Sequence, residues 1–130
     1  MDRHTPYKDG ELFAVPIAAA TELFGGHIIA ANAAGLAVAG SATAANTTLG
    51  ICDGWVDNSA GAAGAADVLV RRGKAWFLAN SSADPVTQAE VGKECYVADS
   101  QTVAKTSDTD ARPVAGKVLG LEADGVWVLI

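Results

Sequence analysis

The sequence predicts an all-β fold, a small β-barrel or jelly-roll-like β-sandwich with one short helix and an extended N-terminal arm. Short apolar runs bounded by Gly, Asn, Asp or Ser recur at intervals of about eight to twelve residues, the spacing of strands in barrels and sandwiches. Asp124-Gly125 between two apolar runs near the end is a strong hairpin signal. Nowhere do strand patterns alternate with long amphipathic helices, as a parallel α/β sheet would require.

Length and composition limit what these strands can build. A chain of 130 residues fits one domain and can bury roughly two thirds of its unfolded surface. We read residues 1–11 as the arm and 12–130 as a single β domain. Half the residues are hydrophobic, but Ala supplies much of that share and 14 are Gly. Large core formers are therefore few, and a small core helped by subunit contacts is expected.

Taken in order, the arm MDRHTPYKDGE carries Pro6, which blocks a helix start, the turn signal Asp9-Gly10, and one sizeable anchor, Tyr7. Phe13, Val15 and Ile17 alternate as a first strand, which Pro16 places at an edge or a bend. Residues 18–26 read as a helical turn ended by Gly25-Gly26. Residues 27–31 and 36–38 form a hairpin about the turn 32–35, and 47–56 is a further strand.

The central stretch runs from Trp55 to Asn80. Within 67–78, Val68, Val70, Trp76 and Leu78 alternate with Leu69, Ala75 and Phe77, so both faces are apolar and the strand is central. Gly73 lies within it, flanked by Arg71, Arg72 and Lys74. Arg-Gly lacks the Asn or Asp of a type I′ turn, so a bulged, bent strand is preferred to a hairpin. The Gly/Ala/Ser-rich loop 58–66 is expected to be exposed and adaptable. Thr87 and Glu90 have capping-box spacing ahead of Gly92, which predicts a short helix over 88–91. Residues 94–98 and 102–105 pair about the turn 99–101, and 114–121 and 126–130 pair about 122–125.

Charge and chemistry exclude several function classes. A net charge of −6 argues against a general nucleic-acid surface, since phosphate contacts need clustered Lys and Arg. The basic cluster Arg71, Arg72 and Lys74 reads as a charged edge that is solvated or contacts protein. No run approaches the ~20 apolar residues that cross a bilayer, and no secretory h-region is seen, so Cys52 and Cys95 are expected to be reduced, structural thiols. His4 and His27 lack metal-like neighbours. Cys52-Asp53 with His27 could be drawn as nucleophile and base, yet nothing local activates the thiol. Gly61-Ala62-Ala63-Gly64 lacks the Lys and Ser/Thr of a phosphate loop. Asp108, Asp110, Glu122 and Asp124 match no calcium loop and read as solvated turns. No metal, cofactor or catalytic activity is expected.

A resemblance gives these features a context. YKDGELF (7–13), VDNSAGAAG (56–64), VRRG (70–73), ADPVTQAEVGKECYV (83–97) and DGVWV (124–128), in this order and spacing, resemble the capsid cement, or head decoration, proteins of tailed bacteriophages. The match covers the arm and most of the chain from Val56 onward, and is vague over 18–54. The resemblance implies a structural virion protein made in the bacterial host cytoplasm. It implies binding to the outer surface of the phage head as a homo-oligomer, dimer or trimer, that bridges major capsid subunits, with no nucleic-acid or membrane partner. Tyr7, Lys8, Phe13, Arg71, Arg72 and Lys74 are then the candidate capsid or subunit contacts. Two other classes stay open: a β-sandwich binding module for a surface polymer or carbohydrate, using Trp55 or Trp76, and a small barrel enzyme using Cys52, His27 or Asp53.

Overall fold

In a computed structural model describing residues 1–130, the apolar runs become twelve strands and one 3-10 turn. The first six are β1 (Leu12–Pro16), β2 (Thr21–Leu23), β3 (Ile28–Ala31), β4 (Ala37–Ala39), β5 (Thr47–Cys52) and β6 (Val56–Asn58). The rest are β7 (Asp67–Arg71), β8 (Ala75–Asn80), β9 (Glu94–Val97), β10 (Thr102–Ala104), β11 (Val114–Glu122) and β12 (Gly125–Leu129). They pack as an all-β, sandwich-like fold. One part is a five-stranded sheet ordered β1-β7-β5-β3-β4, and the other closes into a barrel ordered β10-β8-β12-β11-β9, with β9 pairing β10. A ribbon of β2 and β6 flanks the sheet.

Alternation along β3 and β5 divides the core in two. Successive strand side chains point to opposite faces, so Ile28 and Ile51 enter the barrel core beside Val118, Val126 and Val128, while Ile29 and Cys52 enter the sheet core beside Val68 and Val70. Both isoleucine positions on β3 are fully buried, each contributing about 1.5–3 kcal/mol of burial. A thin core of mostly Val and Ile suffices because one wall serves both halves.

The central stretch departs from expectation. Residues 67–78 are not one bulged strand, nor do their halves form a hairpin: β7 joins the sheet between β1 and β5, and β8 joins the barrel between β12 and β10. Gly73, at φ +80°, turns the chain from one to the other, and its N–H donates to the Ile130 carbonyl. The apolar content of the run reflects two strands serving two cores, Val68 and Val70 in one and Leu78 in the other.

Two further expectations change. The 47–56 strand breaks at residues 53–55, where the Asp53 N–H donates to Leu69 O, leaving β6 to pair with β2. Residues 21–23 are strand rather than helical turn, because pairing with 56–58 outweighs the helix propensity of the alanines before them; Ala20, at φ +53°, ends that stretch. The short helix at 88–91 is a 3-10 turn, Gln88–Glu90, in which the Glu90 carboxylate accepts the Thr87 N–H at 2.7 Å.

The other readings hold locally. The hairpins 28–39, 94–104 and 114–129 are all present, and Asn32 Oδ1 accepts the amides of Ala34 and Leu36 to shape the first. Pro16 ends the edge strand β1, where its missing donor costs no ladder bond. Gly125 is required less by its turn than by packing, since a Cβ there would lie 2.6 Å from the Phe77 ring. One parallel pair, β8 with β10, was not anticipated.

Because β3 serves both cores, Ile28→Ala and Ile29→Ala should each lower stability by about 2–5 kcal/mol, and each should shift one shared unfolding transition. Urea melts followed by both tryptophan fluorescence and far-UV circular dichroism check this; a barrel and sheet that melt separately in either variant would contradict it.

Candidate functional site: the N-terminal arm and the basic turn

The arm leaves the sheet at its edge. Residues 1–9 make no hydrogen bond to the rest of the chain, and every side chain in 1–10 is exposed, Tyr7 to 98%. The arm's root is held where the ladder of β1 and β7 continues past Leu12: the Arg72 N–H donates to Glu11 O at 2.8 Å, and Arg72 Nε donates to Gly10 O at 2.9 Å. Above this clamp lies the Phe13 ring, with Lys8 Nζ 4.5 Å from its centroid and the Arg72 guanidinium carbon 5.9 Å away. A cation over a ring face at such distances is attracted by its quadrupole. Phe13, Val15, Leu49, Val70 and Arg72 line a shallow, mostly apolar groove.

The six candidate contact residues therefore divide. Lys8, Phe13 and Arg72 are brought together, and Tyr7 projects beyond them. Arg71 is elsewhere: it sits on an inner strand, not an edge, and forks onto Asp53 with Nε–Oδ1 3.0 Å and Nη2–Oδ2 3.3 Å. Hydrogen bonding to Arg71 holds the Asp53 carboxyl below its ordinary range. Lys74 is exposed on the turn after Gly73, where its carbonyl accepts the Ile130 N–H. The basic cluster of the sequence is thus three separate groups.

The other chemical candidates are occupied structurally. Cys52 is buried in the sheet core; burial pushes its thiol up, and Sγ donates to Gly54 O. His27 contacts Ser100 Oγ through Nδ1 at 3.0 Å, and Asp53 is committed to Arg71, so the three do not converge as nucleophile and base. Cys95 lies in the barrel core, where burial pushes its thiol up to about 11; both cysteines are free. No three His, Cys, Asp or Glu side chains gather as a metal site. The 58–66 loop is largely exposed but is not unrestrained: buried Asn58 donates through Nδ2 to Ala18 O and Ala62 O. Gly61 is needed there, because a Cβ would lie 1.9 Å from Asn58 Oδ1.

Trp55 is 62% exposed, with Nε1 donating to Glu22 at 2.7 Å, beside exposed Leu69. Trp76 is only partly buried and packs against the barrel core. Sequence reading missed the anchor around Asp84. Its carboxylate accepts from the Thr106 amide at 3.0 Å, the Thr106 hydroxyl at 2.6 Å and Arg112 Nη1 at 2.8 Å, tying down the 106–112 loop. Twenty-two residues of separation between Asp84 and Thr106 left no local signal for it.

Comparison of the chain with protein-family models, with curated proteins and with solved structures gives no significant match.

Four carboxyls are held low in the fold: Asp84 by the Thr106 hydroxyl foremost, Asp53 by Arg71, Glu90 by the Thr87 hydroxyl and Asp57 by Ser59. Folded groups that release protons more readily than unfolded ones stabilise above the unfolded values and lose that contribution as pH falls. Ordinary values of 3.8 for Asp and 4.5 for Glu set the window. The melting temperature should hold from neutrality down to about pH 5 and drop below it. Asp84→Asn should melt lower at pH 7 and show a shallower acid slope; an unchanged slope would remove Asp84 from this account.

Proposed function

We propose that this chain is a cement protein that binds the outside of a tailed-bacteriophage head and stabilises it by bridging major capsid subunits. The observation that carries the reading is the arm: an exposed segment without regular structure, clamped at its root by Arg72 and bearing an unburied Tyr7. A segment of this kind contributes binding area only when another protein supplies the surface. Burying an aromatic side chain of this size contributes on the order of 2–3 kcal/mol. Lys8, Phe13 and Arg72 form the platform from which the arm reaches across a subunit boundary.

Charge and core size support the same role. With 15 acidic and 9 basic residues, the protein does not compete for packaged DNA, and a thin core suits a protein further ordered by its neighbours. Each contact can be weak, since a particle carrying several linked sites gains through effective concentration. The bridge resists outward pressure passively, with no chemistry required. Deletion of residues 2–8 should lower occupancy on purified expanded heads of the virus, read by gradient co-sedimentation. Equal occupancy would remove the arm from the mechanism, and failure of the full chain to sediment with heads would overturn the cement role itself.

Exposed Trp55 favours a second reading, a module that stacks on a carbohydrate or another surface polymer. Under that reading, oligosaccharide should shift tryptophan emission in the full chain and not in Trp55→Ala. An emission spectrum indifferent to a panel of oligosaccharides would leave Trp55 as ordinary surface.

A further inference from the structure

The β2–β6 ribbon carries an unpartnered face of its own, away from the arm. Alternation turns Leu23 and Asn58 inward, where both are buried, and Glu22 and Asp57 outward, where both are exposed. Register places Glu22 opposite Asp57 and Leu23 opposite Val56. The pairing continues past the strand ends, since a Cβ at Gly25 would lie 3.6 Å from Gly54 Cα. Phe24 and Trp55 therefore stand opposite each other on the outward side, 47% and 62% exposed.

Around these two rings the free charge has one sign. No Lys or Arg occurs between residues 9 and 70. Glu22, Asp57 and Asp67 are exposed and take part in no salt bridge within the chain. Asp67 and Asp53 line a shallow hollow with Trp55 and Leu69. The one cation beside it, Arg71, is bound to Asp53, with Nε 3.0 Å from Oδ1. His27, whose ring centroid lies 5.7 Å from that of Phe24, is engaged by Ser100. The other exposed aromatic pair, Phe77 and Trp127 on the barrel with centroids 4.9 Å apart, has both signs on the neighbouring strands, where Lys117 is the register partner of Glu94.

Trp55 donates its Nε1–H to Glu22 at 2.7 Å. The bond holds the indole against β2 and, because the acceptor is a carboxylate, polarises the ring toward greater electron density. Asp57 accepts the Ser59 amide at 2.9 Å, which fixes a second carboxylate on the same face. We infer that this face binds an arginine side chain of a protein partner, its guanidinium stacked on Trp55 and its N–H groups turned to the carboxylates beside the ring. A cation is attracted by the face of an indole more strongly than by the other aromatic rings. The occupant is cationic because the carboxylates have no counter-ion in the chain. It is arginine because a guanidinium is planar enough to stack and presents a fork of donors that matches a carboxylate, which an ammonium does not. A neutral sugar would cover the ring and leave the charge uncompensated.

The openness of the site determines its strength. One stacked guanidinium among exposed, screened carboxylates gives a weak contact, with a Kd on the order of 1 mM for a short peptide, and one that salt weakens further. On a folded partner it adds to the surrounding contacts, and Trp and Arg are the residues at which interface energy concentrates. The site is independent of the arm and of the cement reading, and its test needs no capsid.

Titration of the nitrogen-15-labelled full chain with a short arginine-containing peptide, up to about 10 mM, should move the Trp55 indole cross-peak to saturation. Loss of that peak in Trp55→Phe assigns it. The same peptide with lysine in place of arginine should bind at least about threefold more weakly, and with glutamate it should not bind. Raising salt from about 20 mM to about 500 mM should weaken the arginine peptide at least about fivefold. The double variant Glu22→Gln/Asp57→Asn keeps an acceptor for the Trp55 and Ser59 N–H groups. It should fold, with unchanged circular dichroism as the check, and lose at least about fivefold in affinity. No saturation by the arginine peptide, equal binding of the lysine or glutamate peptide, or a double variant that binds as tightly as the starting protein would overturn the assignment. So would a Trp55 peak moved by neutral oligosaccharide and not by the peptide, which would give the face to a sugar, or one moved by protein concentration alone, which would give it to a second copy.

Discussion

The fold depends on one wall shared between two cores. Ile28 and Ile51 face the barrel, and Ile29 and Cys52 face the sheet, because adjacent side chains on a strand point opposite ways. A chain rich in Ala and Gly has too few large side chains to fill two independent interiors. Using both faces of β3 and β5 lets two short strands wall both interiors. The β7–β8 connection completes the arrangement, with Gly73 carrying the chain from sheet to barrel beside the terminal Ile130.

Closure of the barrel also governs where the protein can meet others. The barrel has no free edge, so open strand edges are left to the five-stranded sheet and to the β2–β6 ribbon. The arm leaves from β1, and Arg72 pins its root with a ladder bond and a side-chain bond. Pro16 at the other end of that strand limits edge pairing. The remaining sticky surface of the barrel is side chain rather than backbone, the Phe77 and Trp127 face. The arm and the barrel face are therefore different kinds of surface, one exposed and without regular structure, the other formed by strands already paired.

Polar groups that look chemically useful in the sequence serve the architecture. Asp53 holds Arg71, Asp84 holds the 106–112 loop, Glu90 caps its turn, and Asn58 pins the Gly-rich loop to the segment before β2. In each case the partner lies on another segment or across a turn, and the group's hydrogen-bonding capacity is used in holding it.

Local patterns alone determined the all-β class, the three hairpins and the capped turn at Glu90, because alternation, turn residues and capping spacing act over a few neighbours. Tertiary structure alone decided the rest. Apolar residues on both faces of 67–78 signalled burial but could not say that two cores rather than one were being served. Nor could they show that Arg71, Arg72 and Lys74, adjacent in the chain, would separate onto Asp53, the arm root and an open turn. Helix propensity at 18–20 was outweighed by the pairing of β2 with a strand about thirty-five residues away. Pairings of that kind depend on which distant segment arrives alongside, and composition carries no record of it.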